Sequence, residues 1–188
     1  MKKILFNDKF SLTQAVLEGR KTMTRRIVTE KQLYYIRRHF RGLAVMEAPF
    51  KYDEVVAVAQ NYKDVMESRG ESGVSHLVAK AGYKNKMFVK AGLMPHQIRI
   101  TNIRVERLQD ISDEDCIREG IYKDNPRPGF YFNGYAFELS KDQNGNILAA
   151  RWYKTPRDAF AALIDKVSGK GTWERNPWVF VYEFKLVK

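Results

Sequence analysis

The sequence favours a mixed α+β or closed-barrel architecture over a doubly wound parallel sheet, because strands come in runs with few helices between them. Residues 53–62 (DEVVAVAQNY), 96–108 (HQIRITNIRVERL) and 178–187 (WVFVYEFKLV) are rich in β-branched and aromatic side chains, and the last two alternate apolar with polar. Between residues 130 and 153 two Asn-Gly pairs, in FYFNGYAFEL and DQNGNILAARWY, mark hairpin turns. Helix starts are announced at three places: Ser11 with Gln14, Ser112 with Asp115, and Thr155 with Pro156 and Asp158. These runs end at Gly19, Gly120 and Gly169, residues suited to a left-handed C-terminal cap. In the last of them Ala159, Phe160, Leu163, Ile164 and Val167 share helical spacing, so that helix lays an apolar stripe on the sheet. EKQLYYIRRHF and GVSHLVAKAG are further helical candidates in less legible stretches.

At 188 residues and 44% hydrophobic, the chain can bury one core and is short for two, so a single domain over 1–188 is expected. No repeat or low-complexity tract interrupts it. The lone Cys116 has no partner for an internal disulfide; in an acidic helical stretch its thiol pKa is expected to rise, and it reads as a half-buried packing residue. The N-terminal MKKILFNDKF carries too short an apolar run for a signal peptide or a membrane span. Together these features predict a cytoplasmic protein with no membrane association.

The net charge is +11, and it is unevenly placed. Residues 1–41 hold eleven Lys and Arg against Asp8, Glu18 and Glu30, which points to an anionic partner, most often nucleic acid. The plainer alternative is a soluble, highly charged surface. The densest stretch is EGRKTMTRR, residues 18–26, where Arg20, Lys21, Arg25 and Arg26 surround Thr22, Met23 and Thr24. YYIRRHFR (34–41) repeats the mixture of cations and aromatics and extends such a surface if it folds alongside; alternatively it is an amphipathic helix with Tyr34, Ile36 or Phe40 in the core.

Four segments, in order, carry a family resemblance: the short helix ending in Gly19 with GRKTMTRR after it, EVVAV, IRITNIRVERLQDISDEDCIREGI, and NPWVFVYEFKLV. Together they resemble an ASCH domain, a compact β-barrel related to the PUA fold, whose Gly-x-Lys-Thr stretch with a trailing arginine corresponds to Gly19, Lys21, Thr22 and Arg26. The likeness covers about residues 10–28, 51–60, 98–121 and 176–187, and is nearest to larger, phage-like ASCH proteins without an assigned activity. Residues 29–50, 63–92 and 122–153 then read as insertions, and Asp53-Glu54 stands where many members have Gly-Asp.

The resemblance implies RNA or a nucleotide-like ligand in a basic cleft beside the first helix, with Arg20, Lys21, Thr22, Arg25 and Arg26 binding it. The cations suit phosphates, and aromatic side chains suit an unpaired base. It also implies an alternative. Some small bacterial ASCH proteins are amidohydrolases acting on N4-acetylcytidine through a lysine, a threonine and a glutamate, which match Lys21, Thr24 and Glu119 here. A lysine crowded by Arg20, Arg25 and Arg26 loses its proton more easily and can act as a base; Thr24 can attack the amide carbonyl, and Glu119 can protonate the departing amine. A third possibility is a phage-like accessory module whose basic face serves protein contacts.

In a regular strand positions 21 and 24 point to opposite sides, so a shared site requires a turn or bulge between them. Otherwise Thr24 is a plain strand residue and Glu119 a solvated carboxylate pairing with Arg118 or Lys123. No cofactor and no metal is expected: His39, His76 and His96 stand far apart, and SGKGTW (168–173) lacks the strand and spacing of a phosphate loop. Trp173 and Trp178 read as core and barrel-closing residues.

Overall fold

The computed structural model describes residues 1–38, 41–70, 77–78, 80–124, 134–137, 139–141 and 147–187. It is a mixed α+β structure around a five-stranded sheet. Along the chain come β1 (Lys3–Ile4), α1 (Leu12–Leu17), β2 (Met23–Ile27), α2 (Glu30–Arg37), α3 (Arg41–Met46), β3 (Val55–Val58) and α4 (Tyr62–Ser68). Then follow β4 (Gln97–Arg107), α5 (Asp113–Arg118), β5 (Tyr122–Lys123), β6 (Tyr135–Ala136), β7 (Leu139–Lys141), β8 (Ile147–Ala150), α6 (Pro156–Ser168), α7 (Thr172–Arg175) and β9 (Trp178–Leu186). The main sheet runs β1-β3-β4-β9-β2, with β1 parallel to β3 and every other pair antiparallel. Small two-stranded sheets, β5-β6 and β7-β8, stand apart from it.

The main sheet is open rather than closed, with β1 and β2 at its edges. Its longest ladder pairs β4 with β9, and the register shifts between Ile100 and Asn102. That bulge explains why the inward apolar residues of β4 change parity, from Ile98 and Ile100 before it to Ile103 and Val105 after it. β9 supplies the centre of the core with Val179, Phe180, Val181, Tyr182 and Phe184, all buried.

The helices follow their capping residues with one exception. Ser112 Oγ accepts from Asp115 N at 3.1 Å, and Thr155 Oγ1 from Asp158 N at 3.0 Å. Ser11 does not cap: it sits at φ +54° and closes a 3₁₀ turn over Asp8–Phe10 that runs directly into α1, so its side chain makes no cap bond. On α6, Ala159, Phe160, Leu163 and Ile164 are buried as their spacing predicts, while Val167 remains 39% exposed. Cys116 on α5 is fully buried, and burial pushes its thiol up to about 12.

The EKQLYYIR stretch is helical in α2, with Ile36 buried and Tyr34 exposed beneath the guanidinium of Arg38, the residue after the helix, 4.6 Å from its ring centroid. Phe40, His39, His76, half of GVSHLVAKAG, and the Asn144-Gly145 turn fall outside the described residues. So does Asn133, but Gly134 is described and β6 begins just after it. Asp53 adopts φ +61° and holds Arg99 at 3.0 Å. The backbone there has the left-handed form that glycine would take without strain.

A second, smaller core lies under α4, where the fully buried Tyr62 accepts a hydrogen bond from Lys90 N at 2.8 Å. Gly82 packs against that ring so closely that a Cβ would lie 2.6 Å from Tyr62 Cε2. With the ring pinned at both ends, Gly82→Ala is expected to destabilise the fold by about 1–3 kcal/mol. Urea denaturation checks this: the midpoint falls, and an unchanged midpoint refutes the packing account.

Candidate active site

The basic stretch enters the site by wrapping the end of α1. Gly19 turns at φ +73°, and Lys21 N donates back to Ala15 O at 2.8 Å, so Lys21 lies in the short link between α1 and β2. On the other side of the site, Glu119 ends α5 and is followed by Gly120 at φ +103°. A Cβ on Gly120 would meet Leu12 at 3.3 Å and the Lys21 stem at 3.5 Å, so the lysine chain lies against bare backbone.

Across this contact Lys21 Nζ donates to Glu119 Oε2 and to the Glu119 carbonyl, both at 2.6 Å. Both side chains are buried, at 2% and 5% exposure. Burial pulls the Lys21 pKa down; Glu119 pulls it back up, Arg26 and Arg25 add to the lowering, and the net shift is downward. Glu119 is therefore not the solvated carboxylate of the alternative expectation, and it pairs with neither Arg118 nor Lys123.

Arg25 sits at the centre of a charge network. Its guanidinium reaches Glu106 at 2.6 Å, Asp115 at 3.0 Å and Glu119 at 3.2 Å. Burial works against its charge, but these carboxylates more than offset that and hold its pKa above the ordinary arginine value. Arg104 joins Asp115, Glu106 and Glu183, and Arg118 joins Asp115 and Glu183, which ties α5 to β4 and β9.

Lys21, Thr24, Arg25, Arg26 and Glu119 line one cleft of about 400 Å³. Its walls are completed by Leu5, Phe6 and Asn7 after β1, by Leu12 of α1, and by Phe160, Leu163, Ile164, Val167 and Ser168 of α6. The strand-parity condition is met without a bulge in β2, whose pairing with β9 is regular from Met23 to Ile27. Lys21 precedes the strand, and β2 is an edge strand, so side chains from both of its faces reach the cleft along its open side. The Thr24 hydroxyl has no hydrogen-bond partner among the described residues, and its ladder partner Tyr182 is fully buried, with a phenol that burial pushes up to about 12.

Arg26 crosses the gap between the two sheet edges: its Nη2 donates to Leu5 O at 2.5 Å, and its guanidinium carbon lies 5.9 Å from the Phe6 ring centroid. Burial lowers its pKa, with Glu119 and Tyr182 opposing. Two of the sequence candidates do not line the cleft. Arg20 is partly exposed and held by Glu18 at 2.6 Å. Thr22 turns toward Arg118, whose Nε donates to its hydroxyl at 3.4 Å.

Sequence reasoning missed Phe6, Asn7 and the α6 wall. The exposed fifth member of the α6 stripe, Val167, was the available signal. It also missed Glu106 and Asp115 as partners of Arg25; both are ordinary carboxylates until the fold brings them together. Among the described residues no group of three His, Cys, Asp or Glu side chains is arranged to hold a metal ion, and no helix is long and apolar enough to cross a membrane. Compared with protein families, with curated proteins and with solved structures, the chain finds no match.

Glu119→Ala leaves Lys21 and Arg25 buried without their shared carboxylate and is expected to cost about 3–5 kcal/mol of stability. Chemical denaturation measures it; a loss below about 1 kcal/mol, the worth of an exposed pair, would refute a buried ion pair. Cys116 is expected to resist an aromatic disulfide reagent at pH 8 until the protein is unfolded. Rapid labelling of the native protein would contradict its burial.

Proposed function

We propose that this chain is an ASCH-type, PUA-like domain that binds a nucleotide-like ligand in the cleft and hydrolyses an N-acyl bond on it, with N4-acetylcytidine as the model substrate. One observation carries the reading: Lys21, Thr24 and Glu119 line a single cleft, with the lysine and the glutamate 2.6 Å apart and buried. The cleft volume of about 400 Å³ falls within the range of small-molecule sites. An open sheet whose two edges face each other across that cleft is consistent with a PUA-like barrel parted at one seam.

The chemistry follows from the protonation of the buried pair. Burial lowers the Lys21 pKa, so its free amine is accessible beside the Glu119 carboxylate. Lys21 takes the Thr24 hydroxyl proton as Oγ1 bonds to the acetyl carbon. The bond from that carbon to nitrogen then breaks as Glu119 relays the proton from the Lys21 ammonium to the departing amine. An acetyl ester on Thr24 remains. Water attacks it, losing a proton through the Glu119 carboxylate to Lys21, which passes that proton to the departing Thr24 oxygen. Acetate leaves as the acid, and all three groups regain their starting state.

RNA binding through the basic stretch alone is less well supported. Arg20, Lys21 and Arg25 are engaged by carboxylates of the chain, which leaves fewer cations for phosphates than the sequence suggests.

Incubation with N4-acetylcytidine is expected to release cytidine, and Thr24→Val to lower kcat by at least about 10²-fold. The rate should rise with pH as Lys21 loses its proton, with the acid limb below the ordinary lysine value because burial lowers that pKa. No release by the wild-type protein at any pH, or full activity of Thr24→Val, would refute the hydrolase.

A further inference from the structure

The charges lining the cleft do not cancel. Glu119 is the carboxylate in its lining, and it is already engaged by Lys21 and Arg25. Arg25 has further partners in Glu106 and Asp115. Arg26 has no carboxylate within ion-pair distance among the described residues: of its five N–H donors, one is used, by the Leu5 carbonyl. Its Nε is buried without any hydrogen-bond partner.

A guanidinium keeps its charge at any ordinary pH, and one that is half-buried with its Nε out of water is normally matched by an anion. Burial works against the charge of Arg26, and Glu119, the carboxylate of the lining, offsets this only in part because Lys21 and Arg25 already hold it. The group is also well placed to meet a ligand. It lies two residues from Thr24 on the same face of β2, beside the Phe6 ring, with the neutral polar side chains of Asn7 and Ser168 in the same walls.

We infer that the cleft takes a ligand carrying an anionic oxygen, a phosphate monoester in the nucleotide case, seated on the Arg26 guanidinium. This rests on the cleft being the ligand site, as proposed above, but not on the hydrolytic step. The substrate class becomes an acylated nucleotide rather than a free nucleoside. A planar fork with unused donors is suited to two phosphate oxygens at once, which a neutral ribose hydroxyl cannot offer.

Calorimetric titration of the full chain with cytidine and with cytidine 5′-monophosphate tests it directly. The wild-type protein is expected to bind the monophosphate about tenfold or more tightly than cytidine, the size of a charge-assisted hydrogen bond. Raising the salt should narrow that gap. Arg26→Gln should abolish the preference, and Arg26→Lys should keep part of it. Equal binding of the two probes by the wild type, binding of neither, or a preference that survives Arg26→Gln would each overturn the inference. The wild-type comparison stands even if Arg26→Gln fails to fold for want of its bond to Leu5. Turnover is measured separately: a monophosphate preference without release from N4-acetylcytidine removes the hydrolase and leaves the anion site.

Discussion

A carboxylate held away from water by two cations organises this molecule. Glu119 closes α5, Lys21 opens the approach to β2, and Arg25 lies two residues into that strand, so their contacts fasten a helix end to a sheet edge. None of the three groups is stable in that position alone, since an unpaired charge in the interior costs more than a lost exposed pair. The geometry around them is correspondingly constrained. Gly120 gives up its side chain so that the lysine stem can lie flat, and the Lys21 ammonium is shared between the carboxylate and the carbonyl of the same residue.

The edge position of β2 does the rest. A central strand offers one face at a time to any neighbouring cavity, but an unpaired edge lets both faces contribute. Thr24 and Arg26 come from one face, Arg25 from the other, and α6 covers them with apolar side chains. Arg26 meanwhile reaches Leu5, just past β1 at the opposite edge, so a side chain spans the opening where a strand ladder would have to close. The cleft is the space left because that ladder is not made.

The three long strands and the capped helices at Ser112 and Thr155 were legible because each rests on local chemistry: β-branched alternation, or a hydroxyl three residues before a free amide. Ser11 looked the same and behaved differently, since the 3₁₀ turn ahead of α1 fixes its backbone before its side chain can cap. The bulge in β4 had a trace in the sequence, where apolar positions step from 98 and 100 to 103 and 105. Grouping Lys21, Thr24 and Glu119 came from resemblance to ASCH sequences. Composition alone marked Arg20 equally with Arg26, and only the three-dimensional arrangement separates a cation paired with Glu18 at the surface from one half-buried in the cleft. The partners of Arg25 were illegible for the same reason: Glu106 and Asp115 are distant in sequence and adjacent only through packing.

The ladder that holds β2 has a bearing on how the protein is made. β2 emerges early from the ribosome, yet its sole neighbour in the sheet is β9, which is synthesised after every other element described here. Until then a strand bearing two arginines has no backbone partner, and closing so long a loop is both slow and entropically costly. Assembly of the cleft is therefore a late event in the life of each nascent chain. A polypeptide stalled or cut before β9 would carry every one of Lys21, Thr24, Arg26 and Glu119 without the sheet that positions them, so incomplete copies lack the cleft.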